Sequence, residues 1–179
     1  MKHGVKIIEC LDKSDPGSEG LFLKHAFDLM KVESSYCHVS SIDDLLSEIA
    51  KSRFKYIHIS AHGETEGEED RFSGWWTPNG TGTKANVAGL VGNVRATAIV
   101  STACKSGTKG FGRYVVDKLG CQFFIGPTGS PRFYNASLFS HLFYHKLFKT
   151  KRGVLSAFNS YSENYKNPHR FRIYEREKP

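Results

Sequence analysis

Two short segments of the chain are apolar almost throughout and end abruptly. Phe54-Lys55-Tyr56-Ile57-His58-Ile59-Ser60-Ala61 runs into His62-Gly63, and Ala98-Ile99-Val100-Ser101-Thr102 runs into Ala103-Cys104-Lys105-Ser106-Gly107. Apolar, β-branched runs bounded by glycine predict buried strands, here over Phe54–Ala61 and Arg95–Thr102. Similar runs predict strands over Val5–Leu11, Ser35–Ser40, Cys121–Gly126 and Phe171–Tyr174. Between them, apolar residues recur with the period of a helix. One set is Leu21, Phe22, Leu23, Ala26, Phe27, Leu29 and Met30, a second is Leu45, Leu46 and Ile49, and a third is Phe111, Tyr114, Val115, Val116 and Leu119. Leu138, Phe139, Leu142, Phe143 and Leu147 form a fourth, a further helix is expected over Val154–Tyr165, and a short one over Val87–Val91. Ser41 reads as an N-cap with Asp43 and Asp44 in the first turn, where acidic groups suit the helix dipole. Asn135 reads as a second N-cap and Gly120 as a C-cap.

Strands that alternate with helices in this way predict an α/β sandwich with a mainly parallel sheet, folded as one domain over residues 1–179. Right-handed crossovers then bring the carboxyl end of every strand to one edge. Residues 64–85 break the pattern. They hold Glu64, Glu66, Glu68, Glu69 and Asp70, then Trp75 and Trp76 among glycines, and read as one long polar loop. Loops of that length in small domains are usually either functional or disordered.

Composition narrows the class. The chain has 179 residues, of which 39% are hydrophobic, with no stretch long and apolar enough to span a bilayer. No signal-peptide pattern opens it, so a cytoplasmic protein without membrane contact is expected. The net charge of +7 permits a nucleic-acid partner. The basic residues are densest from Lys146 to Lys178 but form no single run, which favours a solvated face over a nucleic-acid surface. Four cysteines occur without a Cys-x-x-Cys pair, so free thiols are expected in place of zinc ligands. Cys10 and Cys121 lie in apolar runs and read as core residues.

His62 and Cys104 carry the candidate chemistry. Parallel strands bring both to the edge where open α/β sheets hold their ligands. A thiolate is the nucleophilic form of cysteine, and a nearby imidazole can take its proton. Gly63 permits close backbone approach, and the amides of Gly63 and Cys104 suit an oxyanion hole. The plainer alternative is a core cysteine beside an unrelated histidine. His58 shares a strand face with Ser60 and His62, and reads more readily as a satisfied core histidine. His141 and His145 are four apart on a helix but lack a third ligand, so a surface pair is favoured over a metal site. Trp75 and Trp76 either anchor a substrate or pin the loop to the body.

The segments Ile57-His58-Ile59-Ser60-Ala61-His62-Gly63 and Ile99-Val100-Ser101-Thr102-Ala103-Cys104-Lys105-Ser106-Gly107 resemble the two signatures of caspase-like cysteine peptidases. The Ala-Cys-x-Ser-Gly form is most similar to the CHAT branch. Gly120-Cys121-Gln122-Phe123-Phe124-Ile125-Gly126 resembles the strand that follows in CHAT domains, and Phe139–Leu147 resembles the helix after it. The resemblance spans about residues 5–165 in the right order. It implies a three-layer α/β/α sandwich with a caspase-like central sheet. It also implies a cysteine endopeptidase with Cys104 as nucleophile, His62 as general acid/base and no metal or organic cofactor. A protein substrate is implied, and a regulatory protein partner or rearrangement of the 64–85 loop is expected to control it, in a prokaryotic stress or defence context.

The chain departs from the family pattern where an acid would read a basic substrate side chain. Gly126–Asn135 contains no acid, and Thr102 stands two residues before the cysteine where metacaspases resemble one another in an Asp. Asp12 is a candidate acidic pocket residue, although a turn-forming aspartate is the favoured reading. Arg132 is a candidate for binding a carboxylate group, against a role in surface solubility.

Overall fold

In a computed structural model the described residues are 1–67, 71–90, 94–150, 152–167 and 170–177. The expected acids Glu68, Glu69 and Asp70, and Val91 of the expected short helix, lie outside them, as do Lys151 and Lys178 of the basic stretch. The first half is β1 (Lys2–Glu9), α1 (Glu19–Leu29), β2 (Ser34–His38), α2 (Ile42–Lys51) and β3 (Phe54–Ser60). Then follow β4 (Gly63–Glu66), β5 (Arg71–Thr77), β6 (Gly80–Thr83) and α3 (Lys84–Ala88). The second half is β7 (Ala98–Ser101), α4 (Lys109–Leu119), β8 (Phe123–Pro127), α5 (Phe133–Lys149), α6 (Val154–Tyr165) and β9 (Phe171–Glu175).

Six strands form a sheet in the order β2-β1-β3-β7-β8-β9. All neighbours pair in parallel except β8 and β9, which are antiparallel. The expectation that every strand ends at one edge therefore fails at β9. Two helices, α5 and α6, separate β8 from β9; the second returns the chain to the carboxyl edge, and β9 runs back from there. Side-chain alternation along the strands feeds two apolar clusters. Val5, Ile7, Val100 and Ile125 join Phe27, Phe139, Phe143 and Tyr161 in one, and Ile8, Ile57, Ile99 and Phe124 join Leu45, Ile49, Phe111 and Val115 in the other.

Local chemistry sets the helix ends. Ser18 accepts the Leu21 amide and Ser41 accepts the Asp44 amide, each relieving an amide that the first turn leaves unpaired. Gly120 closes α4 at φ 79°, a conformation in which a Cβ is strained. The expected cap at Asn135 is not one: α5 starts earlier, with Arg132 at the cap and Asn135 inside the first turn. Arg132 is extended, at φ −71° and ψ 157°, and the helix begins with the next residue.

The expected long loop over residues 64–85 is instead a three-stranded antiparallel sheet, β4-β5-β6, leading into α3. Its polar and glycine-rich surface conceals two anchors. Phe72 packs edge-on to Phe111 with ring centroids 4.6 Å apart. Trp75 is fully buried against the same ring, and its Nε1 donates to Ser101 Oγ at 2.9 Å. Burying aromatics of this size contributes about 2–3 kcal/mol each, enough to hold strands that few other apolar residues support.

Candidate active site

β3 and β7 are neighbours in register, with Ile59 opposite Ser101. That register carries His62, two residues past β3, and Cys104, three residues past β7, out at the same edge. Gly63 lies directly on the Cys104 backbone: a Cβ at Gly63 would sit 2.0 Å from the Cys104 carbonyl oxygen. Only glycine admits that approach, so the His62-Gly63 pair and the cysteine turn are packed as one unit. The turn itself is tight. Lys105 has φ 61°, a left-handed conformation that non-glycine residues adopt at a cost. It is held by the Lys105 amide donating to Gly129 O at 2.9 Å, Ser106 to Ala103 O at 3.1 Å and Gly107 to Pro127 O at 2.8 Å. The segment after β8 thus braces the turn that carries the thiol.

His62 has a carboxylate partner from a distant part of the chain. Its Nε2 lies 2.8 Å from Asp15 Oδ1. The imidazole is 41% exposed and the Asp15 side chain only 13%, so the ring can meet a substrate while its anchor stays covered. Trp76 and Phe133 contact the ring edge-on from two sides, each with centroids 5.7 Å away. Asp15 is itself fixed, since its Oδ2 accepts the Asp12 amide at 2.7 Å. Asp12 lines a separate concavity with Asp15, His62, Glu64 and Trp76. Its Oδ1 accepts both the amide and the hydroxyl of Ser14, which makes it the residue that shapes the turn presenting Asp15.

His62 and Cys104 open onto one cavity of about 580 Å³. Thr102 and Arg132 line it too, whereas Asp12 lies outside it. Most of the wall is apolar, contributed by Leu11, Pro16, Ala61, Pro131, Phe133 and Ala136. One buried carboxylate interrupts it. Glu19, at the first position of α1, is 4% exposed. Its Oε2 accepts Thr102 Oγ1 at 2.6 Å and Ser60 Oγ at 3.0 Å, and its Oε1 accepts Ser140 Oγ at 3.0 Å. His58 Nε2 stands 3.4 Å from Oε1, an ion-pair contact without hydrogen-bond alignment. Burial alone pushes the Glu19 carboxyl up. The His58 ring and the Thr102 and Ser60 hydroxyls outweigh burial and hold it below the ordinary carboxylate value. His58 is fully buried, with the Tyr144 hydroxyl 3.3 Å from Nδ1, and braces Glu19 without contacting His62 in any described hydrogen bond.

Protein-family models match no part of the chain. No curated protein matches it in sequence either. Its chemistry has to be read from the residues themselves.

Those residues divide clearly. The structure brings His62, Gly63, Cys104, Thr102 and Arg132 together at one cavity mouth, and sets Asp12 in the Asp15 turn, lining another concavity that shares His62. The other cysteines are poor nucleophiles. Burial pushes the Cys10 and Cys121 thiols up to about 12, and burial also raises Cys37 despite nearby Lys6. Trp75 pins β5 to the body, and Trp76 flanks His62. The His141 and His145 rings stack on α5 with centroids 6.4 Å apart. Sequence reasoning missed Asp15 and Glu19. A signal for Glu19 existed in the two hydroxyl residues Ser60 and Thr102, each two positions before His62 or Cys104 at the end of a largely apolar run. Buried hydroxyls need a partner, and these two share one.

Proposed function

We propose that this protein is a cysteine endopeptidase with a three-layer, caspase-like α/β/α architecture. The observation that carries the reading is the packing of His62-Gly63 against Cys104 at one cavity mouth, with Asp15 hydrogen-bonded to His62. Asp15 favours the tautomer with the proton on Nε2 and stabilises the imidazolium. Proton exchange with the thiol then runs through Nδ1. His62 takes the proton of Cys104, and the thiolate sulfur attacks the scissile carbonyl carbon. The Gly63 and Cys104 amides stabilise the oxyanion. The C–N bond breaks as His62 returns the proton to the leaving amine. Water, deprotonated by His62, then cleaves the thioester and frees Cys104. No metal or organic cofactor is needed for these steps.

The Glu19 carboxylate, in the wall of the cavity that Cys104 also lines, supports a cationic side chain at the scissile residue, supplying the acid that the segment after β8 lacks. A protein substrate and a regulatory protein partner, in the cytoplasm and in a stress or defence setting, complete the proposal. The test is covalent labelling with an electrophilic peptide. The reading expects one equivalent on Cys104 and loss of that label in His62→Ala. Equal labelling of wild type and His62→Ala would sink it.

A further inference from the structure

A second cavity, of about 450 Å³, adjoins the first and lies between α1 and the start of α5. Gly17, Glu19, Phe133 and Tyr134 line both, so no wall of independent residues divides them. Its remaining lining comes from Ser18, Phe22, Ser137, Leu138 and His141, and the surface they present is largely apolar. Phe22 is 46% exposed, Leu138 49% and Tyr134 64%. These are three of the eight large apolar side chains that stand exposed among the described residues, and here they cluster around one concavity. Scattered exposed apolar residues are ordinary, but a concave cluster is characteristic of a binding surface.

The occupant follows from continuity. We infer that this cavity is a subsite for a large apolar, preferably aromatic, side chain of the substrate, next to the scissile residue in sequence or one position removed. The inference rests on the peptidase reading above. An extended substrate advances about 3.3 Å per residue, so a chain whose scissile residue faces the first cavity carries its neighbours past the second. Phe22, Phe133 and Tyr134 offer three rings around the opening, which favours an aromatic guest through edge-to-face contact. The Glu19 carboxylate lies below the junction, where a cationic side chain in the first cavity and an apolar one in the second meet different surroundings. The substrate class is therefore a peptide pairing a cationic residue with a nearby aromatic one.

The experiment is mass-spectrometric profiling of a peptide library cleaved by the full chain, in wild type, Phe22→Ser and Leu138→Ser. Both positions are half-exposed and lie outside the proposed catalytic machinery. Thermal melting and iodoacetamide modification of Cys104 report whether each variant keeps its fold and nucleophile. The expected result is enrichment of Phe, Tyr or Leu at one fixed position near the cut. Each variant should lower kcat/KM on such peptides by about tenfold while leaving the iodoacetamide rate unchanged. Cleavage without that enrichment, or with unaltered selectivity in both variants, overturns the subsite and leaves the peptidase standing. A dimer in solution that Leu138→Ser converts to monomer would assign the cluster to self-association instead. No cleavage, together with equal iodoacetamide rates in wild type and His62→Ala, overturns the peptidase reading and the subsite with it.

Discussion

The β7–α4 turn and the β1–α1 connection meet at the same cavity, yet they are built in opposite ways. The first carries Cys104 at its centre, directly after a strand of four buried residues, and its conformation is closed by bonds to its own neighbours and to the segment after β8. The second carries two carboxylates whose roles appear only at long range. Asp15 meets a histidine 47 residues away, and Glu19 meets hydroxyls 41, 83 and 121 residues away. Asp12 shows the contrast within a single turn: three residues before Asp15, its carboxylate takes both its hydrogen bonds from Ser14. The placement of a cysteine at a strand end can thus be written into a local pattern, while the groups that surround it depend on where the chain returns.

Substitutions in the two connections separate these roles. Cys104→Ala is expected to abolish peptide cleavage and electrophile incorporation completely with the fold retained, which labelling and circular dichroism would check. Residual cleavage would place the nucleophile elsewhere. Glu19→Ala strands three hydroxyls and His58 around an empty site, and should cost about 3 kcal/mol of stability in urea unfolding. A loss well below ~1 kcal/mol would mean that water replaces the carboxylate at no penalty.

The Glu19 network also predicts a pH dependence. Its folded value is depressed, so its contribution is fully present above the ordinary value of 4.5 and is lost as the pH falls through the lower folded value. Glu19→Gln, which cannot titrate, should show a flatter acid limb in the same unfolding series.

Asp15→Asn keeps the size of the side chain but removes its charge. It should lower the rate of peptide cleavage by about 100-fold with little change in melting temperature. An equal fall in stability and rate would make Asp15 a structural residue only. The smallest effect is expected at Asp12→Asn, which retains an acceptor for Ser14: less than ~0.5 kcal/mol in stability and about twofold in rate. If Asp12→Asn matched Asp15→Asn in rate, the contrast drawn between the two aspartates would fail.

Much of the scaffold was legible in the residue pattern. Ser41 with Asp43 and Asp44, Gly120 and the apolar runs at β3 and β7 are local signals, and the structure places caps and strands there. The misreadings share a physical cause. Residues 64–85 looked like a loop because their polar and glycine content is high, but two aromatics, Phe72 and Trp75, are enough to seat a small sheet on Phe111. Asn135 has the residue type of a cap, yet the chain turns helical at Phe133, after an extended Arg132. β9 runs antiparallel because the second of two helices brings the chain back to the carboxyl edge, which no strand pattern encodes.

At the candidate site the same division holds. The residues beside each strand end, His62-Gly63 and Cys104, are readable from sequence because a strand's direction and length are short-range properties. Their adjacency, the Asp15 partner of His62 and the buried Glu19 emerge only once crossover connections bring distant turns to one edge. Hydrogen bonds to a carboxylate require its oxygens within about 3 Å of their donors, and no spacing along the chain records that distance.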